Sequence, residues 1–231
     1  MAVDHQDNDQ TILADLTKPD ACSAIVLAGG MSSRMGDTNK LLLTYDGFSL
    51  LRRATEALVD AGIGELVVVL GHESDKMREQ LHGLDVKICV NAQYEQGQMT
   101  SVQCGLSALS GTKEAVIISL SDQPLMRSEH IRYLVDEYGK QPFDKQILVP
   151  MYQSTRGNPV IISESVRRQV LESGKHPGCR RFIDANPELV NWLQVDDMAF
   201  VTDVDTPGDY AALNEINSLN EKSEAVGKPK A

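Results

Sequence analysis

The stretch Ala24–Leu43, AIVLAGGMSSRMGDTNKLLL, runs an apolar strand into a loop of glycine, serine, arginine and lysine. Its opening AIVLA has the unbroken apolar character of a strand buried on both faces. Gly29 and Gly30 permit positive φ and close backbone approach, so their amides can face an anion. Ser32 and Ser33 add hydroxyl donors, Arg34 can grip a phosphate bidentately, and Lys40 supplies a mobile point charge. A solvated turn would explain the glycines alone. Strand, glycines and two cations together read as a cradle for a phosphate-bearing ligand. The spacing matches neither GxxxxGK[ST] nor GxGxxG, so the two best-known phosphate loops do not apply.

Outward from that stretch, strand-length apolar runs alternate with helical patterns. SLLRRATEALVDAG (Ser49–Gly62) sets Leu50, Leu51, Ala54, Ala57 and Leu58 on one helical face and ends at a glycine stop. ELVVVLG, VKICVN, EAVIISLSDQP and QILVPMY read as strands. Ser74–Leu81, TSVQCGLSALS and SEHIRYLVDEYG read as helices between them. RGNPVIIS suggests a further strand, and SESVRRQVLESG and PGDYAALNEINSL suggest further helices. This order predicts an α/β fold: a mostly parallel sheet with helices on both faces. Ligands in such folds bind beyond the carboxyl ends of the strands, where Gly29–Lys40 and Ser121–Pro124 would lie.

The 231 residues suit one large domain, expected over 21–218 between polar tails at 1–20 and 219–231. A formal net charge of −11 argues against nonspecific binding to nucleic acid or to membranes. The N-terminal segment has no basic start followed by an apolar core, and no apolar run reaches bilayer length, so a cytoplasmic location is expected. The four cysteines, Cys22, Cys89, Cys104 and Cys179, form no CxxC pair and suggest neither a disulfide framework nor a zinc site.

Several polar groups compete for chemical roles. Asp122, directly after VIISLS, places a carboxylate at the rim of the sheet, as a Mg2+ ligand or as the cap of a turn. TDVDTPGDY offers Asp203 and Asp205 as a second ligand, although Asp205 or Thr206 before Pro207 also makes a good helix start. Arg156, Gly157 and Asn158, and the Lys175, His176, Arg180 and Arg181 cluster, could line a pocket for an acidic substrate. His72 and His82 fit no ligand spacing. Neither a serine elbow nor a cysteine–histidine pair is present. Attack by an ionised phosphate on an activated phosphorus needs neither. It needs alignment, a metal and positive groups around the leaving pyrophosphate.

LAGGMSSRMG with Lys40, SLSDQPL, RGNPV and DVDTPGD together resemble the molybdenum cofactor nucleotidyltransferase family, the MobA-like NTP transferases. The resemblance runs from about Ala24 to Tyr210. It implies a three-layer Rossmann-like nucleotidyltransferase fold and Mg2+-dependent transfer from a nucleoside triphosphate to the phosphate of molybdopterin. It also implies that Leu27, Ala28, Gly29 and Gly30 contact base and sugar, and that Arg34 and Lys40 hold the triphosphate. Asp122 and Asp205 would hold the metal, and Asn158 would lie near the pterin, with Arg156 and Arg180 as further substrate candidates. NKLLL, NAQYEQGQMTSVQCGL and RGNPVII resemble the cytidylyltransferase branch, which serves molybdenum hydroxylases, whereas Gly30 gives the LAGG common in the guanylyl branch. Transfer to a sugar or polyol phosphate, a non-catalytic accessory protein for a molybdenum hydroxylase, and an oxidoreductase are the rival readings.

Overall fold

A computed structural model describes residues 16–36, 38–111, 113–172 and 179–215. The expected tails at 219–231 and 1–15, together with Lys175 and His176, lie outside the described residues. Within the remainder of the N-terminal segment, Leu16 packs against the core.

The opening strand, β1 (Cys22–Ala28), is the centre of the molecule, and all seven of its residues are buried. Parallel neighbours enclose it: β4 (Glu65–Leu70) pairs with one edge and β6 (Ala115–Leu120) with the other. That double burial is why the run has no polar alternation. Beyond β4 lies β5 (Lys87–Val90), also parallel. Beyond β6 the direction reverses, because β9 (Val160–Ser163) runs antiparallel both to β6 and to β7 (Ile147–Tyr152). β10 (Val190–Val195) then pairs parallel with β7, and the short β8 (Thr155–Arg156) folds back on β7. A separate hairpin joins β2 (Thr44–Tyr45) and β3 (Phe48–Ser49). The sheet order among the described residues is β10-β7-β9-β6-β1-β4-β5.

Successive side chains of a strand face opposite ways, and β1 uses both. Ala24, Val26 and Ala28 share a core with α1 (Leu50–Ala61), α2 (Ser74–Gln80) and α4 (Ser128–Lys140). Ile25 and Leu27 share the opposite core with α3 (Gln98–Ala108), α5 (Glu164–Glu172) and α6 (Cys179–Ala185). The result is the expected three-layer α/β architecture. Ser49 caps α1 by accepting from the Arg52 amide, and Gly62 ends it in the left-handed region at φ 87°.

Several elements escape the periodicity. β10 (VNWLQV) is an edge strand with a half-buried middle, so its pattern is too mixed to stand out. The two-residue strands β2 and β3 are too short to show a period, and α6 has only seven residues. Two of the scattered cysteines also meet: Cys89 on β5 and Cys104 on α3 lie with their sulfurs 2.8 Å apart as a hydrogen-bonded thiol pair.

Helix α3 lies close on the sheet because Gly105 has no side chain. A Cβ there would come within 2.7 Å of Val69 Cγ2 and 3.1 Å of Ile25 Cγ2. Gly105→Val should therefore cost about 1–3 kcal/mol through overpacking, read as a lowered urea midpoint with an unchanged m-value.

Candidate nucleotide and acceptor site

The carboxyl ends of β1 and β6 open into one cavity of about 440 Å³, and the end of β4 packs against the loop after β1. β1 delivers Gly29 and Gly30, Gly71 follows β4, and β6 runs into Ser121 and Asp122. The strands approach closely there. A Cβ on Gly71 would sit 2.6 Å from the Gly29 carbonyl, and one on Gly29 would sit 2.7 Å from Ser101 Oγ. The close-approach reading of Gly29 therefore holds. The positive-φ reading of the GG pair does not: the left-handed residues of this loop are Ser32, at φ 53°, and Gly36, at φ 65°. Gly30 faces open space instead.

Leu27, Ser32, Ser33, Arg34, Lys40, Asp122, Asp203 and Asp205 all line this cavity with the two glycines. Ala28 does not. It is fully buried in the core shared with α1, because alternation along β1 turns its side chain away from Leu27.

The loop is held so that Lys40 turns inward. Ser32 Oγ accepts from the Lys40 amide at 3.2 Å and lies 3.5 Å from Asn39 Oδ1. Buried Asn39 accepts from the Leu41 amide and donates from Nδ2 to Glu73 Oε2 at 3.1 Å, tying the loop to the turn after β4. The Lys40 ammonium then sits between two acids, 2.6 Å from Asp122 Oδ2 and 2.7 Å from Asp205 Oδ1. Arg34 reaches the other oxygen of Asp205 at 2.8 Å.

Neither acid is used up as a cap. Thr206 takes that role for the helix over 207–215: its hydroxyl accepts from the Asp209 amide, and Asp209 Oδ2 accepts in return from the Thr206 amide. Helix α4 begins only at Ser128, well past Asp122. The backbone brings the two acids together, because the Val204 amide donates to the Asp122 carbonyl at 3.0 Å.

The charges follow from this packing. Burial opposes ionisation of Asp205, but its bond to Lys40 and the charges of Lys40 and Arg34 outweigh that and hold its carboxyl below the ordinary range. Burial likewise works against the Lys40 ammonium, yet Asp122 and Asp205 raise its pKa above the usual lysine value. Asp203, open to solvent on one side, is pushed up by desolvation and then by repulsion from Asp205 and Asp122. Of the two candidates in TDVDT, Asp205 is thus the one that pairs with Asp122.

Among the described residues no group of three or more His, Cys, Asp or Glu side chains is disposed to hold a metal unaided. Two carboxylates sharing one cation still suit a hard divalent ion whose remaining ligands come from phosphate and water. Asp122 Oδ1, buried with no hydrogen-bond partner, is a spare oxygen of the right kind.

A second cavity, about 790 Å³, adjoins the first and shares Leu27, Gln98 and Leu120 with it. Arg156, Asn158 and Arg180 all line it. Arg156 pairs with Asp184 at 2.5 Å and lies over the Trp192 ring at 4.7 Å. Met99, Val102, Ile118, Val149, Val160 and Ile183 share its walls with the polar side chains of Gln98, Ser154, Thr155 and Asp184.

Sequence reasoning assigned no site role to Tyr94, Glu95, Gln98 and Ser101, which close the first cavity from the α3 side. Asn91 donates to Thr100 and Ser101, fixing the start of that helix. The available signal was NAQYEQGQMTS, a polar run between a strand and a small-residue helix.

A family model described as the MobA-like NTP transferase domain matches residues 24–192. The chain belongs to that family. The structure of Rv0371c from Mycobacterium tuberculosis H37Rv is similar at 25% identity and TM-score 0.72, covering 84% of this chain and 97% of that one. A manganese complex of Rv0371c aligns with TM-score 0.69 at 23% identity over 84% of this chain and 98% of that one, a likeness of fold. Nicotine blue oxidoreductase from Paenarthrobacter nicotinovorans is 28% identical over 80% of this chain and 92% of its own length. The bifunctional protein GlmU of Corynebacterium aurimucosum is 40% identical over 49% of this chain, which spans only 24% of that protein's length. No described helix is long and apolar enough to cross a membrane.

The Lys40–Asp205 pair also has a signature in stability. A carboxyl held below 3.8 contributes stability that is present above that pH and lost as pH falls through its lower folded value. Asp205→Asn should therefore flatten the fall in urea midpoint on the acid side, below about pH 4. At neutral pH the variant should be less stable than the parent.

Proposed function

We propose that this protein is a Mg2+-dependent nucleotidyltransferase that joins a nucleoside triphosphate, CTP by preference, to the phosphate of molybdopterin and releases pyrophosphate. The observation that carries this reading is the pair of adjoining cavities, one walled by paired carboxylates and cations, the other by a mixed lining of apolar side chains, hydroxyls, amides and arginines. A triphosphate suits the first. A flat heteroaromatic acceptor suits the second, with its ring against Val102, Ile118 and Val149 and its polar edge toward Gln98, Ser154 and Asn158.

Lys40 and Arg34 would hold the β- and γ-phosphates, and the Ser32 and Ser33 hydroxyls would complete the cradle. An oxygen of the pterin phosphate, entering at the junction near Leu27 and Leu120, would attack the α-phosphorus in line. The bond from that phosphorus to its β-bridging oxygen breaks, and its electron pair leaves with pyrophosphate. The acceptor is already ionised, so no residue has to take a proton. The two cations stabilise charge growing on the leaving group. Asp122 and Asp205 would hold the divalent ion, which when bound neutralises phosphate charge and helps align the groups. Motifs of the cytidylyltransferase branch support CTP, and the dinucleotide product suits a molybdenum hydroxylase as its partner.

A second reading is an oxidoreductase, favoured by the likeness to nicotine blue oxidoreductase across most of both chains. Hydride transfer gives the Lys40, Asp122 and Asp205 cluster nothing to do.

The decisive experiment incubates the protein with each nucleoside triphosphate, Mg2+ and either molybdopterin or a polyol phosphate, and identifies the dinucleotide by mass. CTP with molybdopterin should yield cytosine dinucleotide and pyrophosphate. Binding without pyrophosphate release would instead point to an accessory protein, and reductase activity toward a dye to the second reading. Lys40→Ala and Asp122→Asn should each lower kcat/KM by about a hundredfold or more while the fold persists, the scale seen when a group stabilising transition-state charge is lost.

A further inference from the structure

A tethered cation already bridges the acid pair. Lys40 bonds both carboxylates, and its side chain is only 14% exposed. Arg34 takes the remaining oxygen of Asp205 from a side chain that is 66% exposed. A divalent ion held by Asp122 and Asp205 would have to take the place of the Lys40 ammonium.

We propose that Lys40 is a resident placeholder cation which makes metal binding and triphosphate binding a coupled event: the dication displaces the ammonium from the two aspartates only when phosphate oxygens are present to receive it. The inference rests on the nucleotidyltransferase reading of the site. Its basis is charge pairing. With a metal alone, the displaced ammonium would lose both of its bonded carboxylates and stay beside two positive charges, with only the exposed Asp203 and Glu95 of the same cavity left to face it. With a metal and a triphosphate together, every charge keeps a partner: the dication takes the carboxylates, and Lys40 takes phosphate. Asp122 Oδ1, buried and unpartnered, offers a first foothold for the incoming ion. Coupling of this kind is reciprocal, so the metal must raise triphosphate affinity by the same factor. The loop geometry supports the exchange. The Lys40 backbone is pinned through Ser32, so only the side chain has to swing.

The test is a Mn2+ titration of the nucleotide-free protein, followed by the electron paramagnetic resonance signal of free Mn2+. Wild type should bind Mn2+ weakly. Lys40→Met should bind it about tenfold or more tightly, a coupling of ordinary size, and adding Asp122→Asn to that variant should abolish the gain. Arg34→Met removes the same charge from the exposed partner of Asp205 and should change Mn2+ affinity far less. Lys40→Gln repeats the measurement should the methionine variant fail to fold. Equal Mn2+ affinity in wild type and in the lysine variants would overturn the inference, as would an equal gain in Arg34→Met, which would mean general charge removal and not displacement. Neither nucleotide nor acceptor is present, so these outcomes are independent of whether the product assay succeeds.

Discussion

One ammonium group between two carboxylates organises the functional end of this molecule. Lys40 comes from the loop after the central strand, Asp122 from the end of β6, and Asp205 from the segment leading into the final helix. Two aspartates this close would repel one another without a cation between them. Everything around them serves to hold that arrangement: the Ser32 and Asn39 contacts that aim the lysine, the Val204 amide bonded to Asp122, and the Thr206–Asp209 cap that leaves Asp205 free.

The sheet makes this cluster possible. With β1 flanked by parallel β4 and β6, three strands end at the same edge, and their following loops must emerge together. Glycines at 29 and 71 let those loops approach until no side chain would fit between them. The reversal at β9 then places β7, β8 and β10 beside the first cavity, so that Arg156 and Asn158 wall a second one adjoining it. The two cavities therefore meet at Leu27 and Leu120, at the ends of the two central strands.

Several residues have a double reading in one dimension that the fold separates. Asp205 before Thr206-Pro207 is equally a helix cap and a ligand; the hydrogen bonds give the cap to Thr206. Asp203 and Asp205 are indistinguishable by composition, yet only Asp205 bonds Lys40 and Arg34. Arg156 looks like a free cation for an acidic substrate, but Asp184 and Trp192 already engage it.

What the sequence determined by itself was the local physics: unbroken apolar runs that can only be strands buried on both faces, amphipathic helices with their stops, and a loop whose serines and cations suit an anion. The alternation of those elements was enough for the α/β class and for the edge of the sheet where ligands bind. It could not show the antiparallel turn at β9, because strand direction depends on where the next element packs and not on the strand's own residues. Nor could it show that Ala28 faces the core, that Ser32 and Gly36, not the paired glycines, carry the left-handed turns, or that Cys89 meets Cys104. Those are relations between residues distant along the chain, and only tertiary packing sets the distances on which charge pairing and close approach depend.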